Sequence, residues 1–231
     1  MSIKLNKPKP SEICPPGYHV VRGHQRVCQS GTKTWVDTHI RKNPKKKIKM
    51  LLQENLLYLL YWNSKKKYPK LPAIKGFKPY NELDPIIQFW LDYWKNEGLS
   101  FPKIDPLLVK TIIAVESSFR PKADPKSKHS SAYGLIQITN QSRRVLRGDP
   151  DKNGYRELRS QYLRVSREDL EDPVVNIGAG IRVLAHKHRL RKSEKGDPLY
   201  NMLKAYYSWN KDGDDYAKKV FELYTASKNS N

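Results

Sequence analysis

Two cysteines in 231 residues exclude a disulfide-rich scaffold. No apolar run exceeds Leu56–Trp62, well short of the roughly 18 residues that a membrane-spanning helix needs. The opening MSIKLNKPKPSEICPPG lacks the apolar core of a secretory signal peptide, so none is expected. Acidic side chains are scarce: 23 Asp and Glu face 44 Lys and Arg, a formal charge of +21. Charged residues at 29% and hydrophobic ones at 38% still allow a packed core. What remains is a soluble, strongly basic chain with room for one core and a small accessory module, whose partner is expected to be anionic.

The charge is lopsided, with +15 in residues 1–80 and +6 in residues 81–231. Its basic clusters, Arg41–Lys49 and Lys65–Lys67, read either as a solvated linker or as an arm for a polyanion or anionic surface. No zinc-finger, RRM or basic-zipper spacing supports nucleic acid. Residues 1–18 are Pro-rich. Val21–Arg26 recurs weakly as Val36–Arg41 across the turn-like Gln29–Thr32, which predicts a β-hairpin that needs a neighbour to pack on. Cys14, His24, Cys28 and His39 are open to zinc ligation, to a Cys14–Cys28 disulfide, or to ordinary thiols and imidazoles; no paired C-x-x-C or H-x-x-x-H element selects a metal, and none is expected. Leu51–Trp62 reads as a helix for the main domain or a membrane surface, and Lys65–Pro79, with three prolines and a glycine, as a linker.

From residue 82 the pattern becomes helical. Asp84-Pro85, Asp105-Pro106, Asp172-Pro173 and Asp197-Pro198 each supply an N-cap acceptor followed by proline at the first helical position. They predict helices over 85–96, 106–118, 173–189 and 198–209, with another over 215–226; the best strand signal is Tyr133–Ile138. The predicted organisation is a basic β-hairpin module (1–43), a helix with a Lys/Pro-rich linker (44–81), and a mostly helical domain (82–231) of α+β class.

On the helix from Pro106, Val109, Ile112 and Ile113 form an inward stripe, and Glu116 is the next position on it. A carboxylate there is partly desolvated, which raises its pKa and suits a proton donor to a leaving oxygen. The same residue is also open to turning outward to pair with Arg120 or Lys122.

Ala114-Val115-Glu116-Ser117-Ser118-Phe119-Arg120-Pro121-Lys122-Ala123, followed by Ser131-Ala132-Tyr133-Gly134-Leu135-Ile136-Gln137-Ile138, resembles the soluble lytic transglycosylase family, which shares its fold with goose-type lysozymes. Asn176-Ile177-Gly178-Ala179-Gly180 resembles the family's N-I-x-x-G, Leu203–Tyr206 its A-Y-N region, and Tyr216 with Val220 its closing Y-x-x-x-V helix. The resemblance implies a lysozyme-like domain in which Glu116 protonates the glycosidic oxygen between N-acetylmuramic acid and N-acetylglucosamine. The same residue then takes the proton of the muramyl C6 hydroxyl, leaving a 1,6-anhydromuramyl end. It also implies substrate-binding roles for Ser117, Gln137, Tyr206, Tyr216 and Asn176, the last of these more in fixing the cleft floor, and it requires no cofactor. Two departures stand out: Ser131-Ala132 replaces the family's G-A, and Tyr207 replaces the asparagine after Tyr206. Asp124 stands where the family tends to be apolar; as a second acid it would activate water and turn the product into a reducing sugar, while an Asp before Pro125 also forms turns.

The expected activity is therefore peptidoglycan cleavage by a lytic transglycosylase. The alternatives are a goose-type-like lysozyme acting on the same bond and a binding protein that only grips glycan. Residues 1–80 would add teichoic acid, lipopolysaccharide or anionic lipid as partners, and an immunity or delivery protein fits a phage lysin or secreted toxin. The expected place of action is the periplasm or cell wall, reached by phage or by a dedicated secretion system.

Overall fold

The computed structural model describes residues 66–96, 102–123, 131–146, 148–150 and 165–229. It also describes Ile3, residues 30–32, Tyr61, Ser64, residues 153–154 and the backbone of four short strands. The strands β1 (Tyr18–Val21), β2 (His24–Val27), β3 (Lys33–Val36) and β4 (His39–Lys42) form two antiparallel pairs. Tyr18 lies opposite Lys42 in the β1–β4 pair, and His24 opposite Val36 in the β2–β3 pair. Cys14, Cys28, residues 51–60 and Asp124 lie outside the described residues.

The rest is predominantly helical, with six α-helices among the described residues: α1 (Asp84–Asn96), α2 (Pro106–Ser117), α3 (Asn140–Leu146), α4 (Pro173–Arg191), α5 (Pro198–Tyr207) and α6 (Lys211–Lys228). Three of the four Asp-Pro pairs cap as their chemistry dictates. Asp105 accepts from Leu107 N at 2.9 Å, Asp172 from Val174 N at 2.7 Å, and Asp197 from Tyr200 N at 2.8 Å. Asp84 departs from that pattern. It is the first residue of α1, fully buried, with one carboxylate oxygen accepting from Leu71 N at 2.9 Å and the other 2.6 Å from the buried Lys110 ammonium.

Helix α4 runs through the middle, buried from Pro173 to His186 and packed on α1, α3 and α5; α6 closes the bundle against α2 and α5. Gly178 makes the α1–α4 contact possible. A Cβ there would stand 2.7 Å from the Trp90 ring, and the Gly178 carbonyl accepts from Trp94 Nε1 at 2.8 Å. Residues 66–80 differ from a solvated linker: Ile74 is buried in the core, the Pro69 carbonyl accepts from Gln88 at 2.8 Å, and Lys75 N donates to Ser227 Oγ at 3.0 Å. This segment straps α1 to the end of α6. Among the described residues, no helix is long and apolar enough to cross a membrane.

Candidate active site

Helix α2 is buried on nearly all sides, and Glu116 sits in its last turn with 7% of its surface exposed. The helix stops because Ser118 and Phe119 take successive left-handed conformations, φ 51° and 61°, which cost non-glycine residues energy. The compensation is visible. Ser118 N donates to the Ala114 carbonyl at 3.0 Å, and the Ser117 carbonyl accepts from both Arg120 N and Nε at 3.1 Å. The Phe119 ring stacks on Tyr80 at 4.2 Å between centroids and meets Phe77 edge-on at 5.4 Å. The carboxylate is thus carried on a helix end anchored by the strap.

Opposite lies the segment 131–138. Tyr133 and Ile138 exchange two backbone hydrogen bonds, but Gly134 (φ 78°) and Gln137 (φ 51°) reverse the chain between them. The expected strand is therefore a tight bridged turn. Asn176, at the start of α4 and wholly buried, holds it. Its side-chain oxygen accepts from Ile136 N at 2.8 Å, and its amide donates to the Tyr133 and Leu170 carbonyls at 3.2 and 3.0 Å. A Cβ at residue 134 would lie 2.0 Å from that amide nitrogen, so glycine is required there. Asn176 is thus committed to the turn and does not line the cavity.

A cavity of about 560 Å³ opens beside Glu116, walled by Gln137, by Gln141, Ser142 and Val145 of α3, by one face of α4, and by Ala205–Trp209. Gln137 Nε2 donates to the Ala123 and Gly134 carbonyls at 3.1 and 3.0 Å, so its amide oxygen is the group left to offer a ligand. The Tyr206 hydroxyl donates to the Ile136 carbonyl. Burial, and then the charge of Glu116, hold the Tyr206 phenol well above its usual range. Tyr216 of α6 is shifted the same way, first by burial and then by Glu116, which also engages its hydroxyl directly. That engagement falls short of ordinary hydrogen-bond geometry, and among the described residues the hydroxyl has no other acceptor. Both tyrosines therefore face the carboxylate as neutral phenols; Tyr206 spends its one O–H on the Ile136 carbonyl, so Tyr216 is the one able to donate to it.

Ser117 is not brought to the cavity. Its hydroxyl donates to the Ile113 carbonyl one turn back, at 3.0 Å, and the residue is buried. Other lining residues were given no role in the sequence reading. Tyr207 is 59% exposed, with one face stacked on Tyr216 at 5.1 Å. Trp209 carries the Arg191 guanidinium 4.0 Å over its ring. The wall formed by Val183, His186, Lys187, Leu190 and Arg191 has helical spacing, a signal that was available in the sequence. Among the described residues, no group of three or more His, Cys, Asp or Glu side chains is placed to hold a metal ion.

Residues 93–228 match the family model of the transglycosylase SLT domain, more than half of the chain. No curated protein matches the chain.

Proposed function

Because the chain belongs to the transglycosylase SLT domain family, we propose that it cleaves the glycan strands of peptidoglycan with Glu116 as the single acid and base. The observation that carries this reading is a buried carboxyl at the edge of a glycan-sized cavity, flanked by two phenols that cannot ionise at neutral pH. In its acid form the carboxyl brings a proton to the glycosidic oxygen. Transfer of that proton lets the bond between the muramyl C1 and the bridging oxygen break, and the N-acetylglucosamine side leaves as an alcohol. The Tyr216 hydroxyl then donates to the newly formed carboxylate. That carboxylate takes the proton of the muramyl C6 hydroxyl as its oxygen closes on C1, giving a 1,6-anhydromuramyl end and restoring the acid. No water is consumed, and one carboxyl suffices where hydrolases use two.

In this reading Gln137 accepts a hydrogen bond from a sugar amide or hydroxyl, Tyr206 fixes the 131–138 turn against α5, and Tyr216 is the donor beside the acid. The strongly basic residues 1–80 hold the enzyme on teichoic acid, lipopolysaccharide or anionic lipid, and its place of action is the wall or periplasm. Mass spectrometry of digested sacculi tests the chemistry, with anhydromuramyl ends expected. Purely reducing ends would transfer the assignment to a hydrolase. Glu116→Gln is expected to lower turnover by at least about 10³-fold while the variant still pulls down sacculi. A variant that keeps most of its activity would remove Glu116 from the chemistry.

A further inference from the structure

Among the described residues the large hydrophobic side chains left exposed are Tyr207 and Trp209, and both line the cavity beside Glu116. Single surface aromatics need no explanation, but two lining one cavity form a contact surface. Their backbone is fixed. Tyr207 is the last residue of α5, and Ser208 N donates to the Lys204 carbonyl at 2.9 Å. Asn210 then caps α6 by accepting from Gly213 N at 3.2 Å. Gly213 packs onto the same turn, since a Cβ there would stand 1.8 Å from the Ser208 carbonyl oxygen. The two rings differ in what stays open. Trp209 has the Arg191 guanidinium 4.0 Å and the Lys204 ammonium 4.9 Å from its ring centroid. Tyr207 lies nearly parallel to Tyr216, with 17° between planes and 5.1 Å between centroids, and among the described residues no other ring stacks on it. A parallel stack covers one face, so the exposed surface of Tyr207 is its other face and its edge. The ring beneath it is the one whose hydroxyl meets Glu116, which places Tyr207 next to the reacting end of the cavity. A tyrosine held in this way loses little freedom when a ligand covers it.

The β-linked aminosugars of a glycan strand carry their ring substituents equatorially, so C–H bonds stand axially on both faces of each pyranose. Those faces are apolar and slightly positive, the complement of the electron-rich face of a phenol ring. We propose that Tyr207 is a stacking platform for one pyranose of the strand, a subsite that grips the sugar by its ring face. The asparagine of the family pattern, which Tyr207 replaces, offers no such face. The inference rests on the glycan-cleaving reading of the same cavity.

Binding without turnover separates the two. The Glu116→Gln protein is titrated by calorimetry with the β-1,4-linked hexamer of N-acetylglucosamine, a neutral probe that carries neither peptide nor phosphate. Adding Tyr207→Leu, which still covers Tyr216 but offers no flat face, is expected to weaken binding about tenfold, the worth of one ring face returned to water. Tyr207→Asn is expected to weaken it as much, whereas Tyr207→Phe keeps the face and is expected to stay within about twofold. The loss is expected to be the same at low and high salt, since neither face carries a net charge. Circular dichroism melts check the fold of each variant. Proton NMR of the bound hexamer gives a readout that needs no variant: axial protons of one pyranose are expected to move upfield in the ring current, and to return in Tyr207→Leu. Tyr207→Leu binding as tightly as its parent would overturn the platform and leave the glycan-cleaving reading standing. A loss in Tyr207→Phe as large as in Tyr207→Leu would overturn it too, because the hydroxyl would then be the contact. So would failure of the Glu116→Gln protein to bind the hexamer. Release of anhydromuramyl ends from sacculi by the unmodified protein reports independently on the catalytic reading.

Discussion

Tyr206 and Tyr216 both crowd Glu116, yet their hydroxyls have different obligations. Tyr206 is bonded to the Ile136 carbonyl, whereas among the described residues Tyr216 has Glu116 alone. Tyr216→Phe is therefore expected to cut kcat roughly 10- to 100-fold, the worth of a hydrogen bond to a charged group, with little change in melting temperature. Tyr206→Phe strands a backbone carbonyl and is expected to cost about 1–3 kcal/mol of stability in a chemical denaturation series, with activity falling as the turn loosens. Legibility at this scale was uneven. Glu116 was readable because it continues an apolar stripe. Ser117, its neighbour in the same motif, was not, because a serine near a helix end can equally bond to the carbonyl one turn back. Lys110 lies between stripe positions, where periodicity says nothing of its partner; burial of α2 on nearly all sides makes it the counter-ion of Asp84.

Among the elements, the Asp-Pro starts were legible since the cap and the proline act locally. The short helix α3 was not, because its seven residues bury only Val145 and Leu146, too few to set a period. The cap of α4 carries a pH signature. Burial lifts the Asp172 carboxyl from 3.8 to about 6, against the lowering effect of its bonds from Val175 and Val174. A raised folded-state pKa favours the protonated form, so its contribution to stability is complete below pH 3.8 and is lost as pH rises through about 6. Asp172→Asn keeps an acceptor for the helix start and cannot ionise. Thermal melts are expected to show the variant more stable than the parent at pH 7–8, on the order of 1–3 kcal/mol, with the gap closing below pH 4.

For the whole molecule, the lopsided charge was evident from composition, but the physical boundary of the helical body was not. A Pro- and Lys-rich stretch with no periodicity gives no sign that Ile74 is core or that the Asp84 carboxylate waits for Leu71 N. Removal of residues 1–65 is expected to leave a cooperative unfolding transition, moderately weakened by loss of the buried Ile3 and of the Tyr61–Phe89 ring contact. Removal of residues 1–80 is expected to cost more than about 3 kcal/mol beyond that, or to abolish folding, because it takes Ile74, Phe77 and Tyr80 out of the core. Calorimetry of the two truncations checks both. If the proposed anchoring by the basic arm is correct, the shorter deletion is also the one that weakens binding to sacculi without harming the cleft. The grip of Phe77 and Tyr80 on Phe119 has a further consequence, for the order in which the molecule comes apart. The ring that pins the turn after Glu116 is held from outside the stretch shared with the family, by a strap fastened to Asp84, Gln88 and Ser227. Peeling of that strap frees the turn while α4 still stands, so on warming the protein would fall silent before it melts.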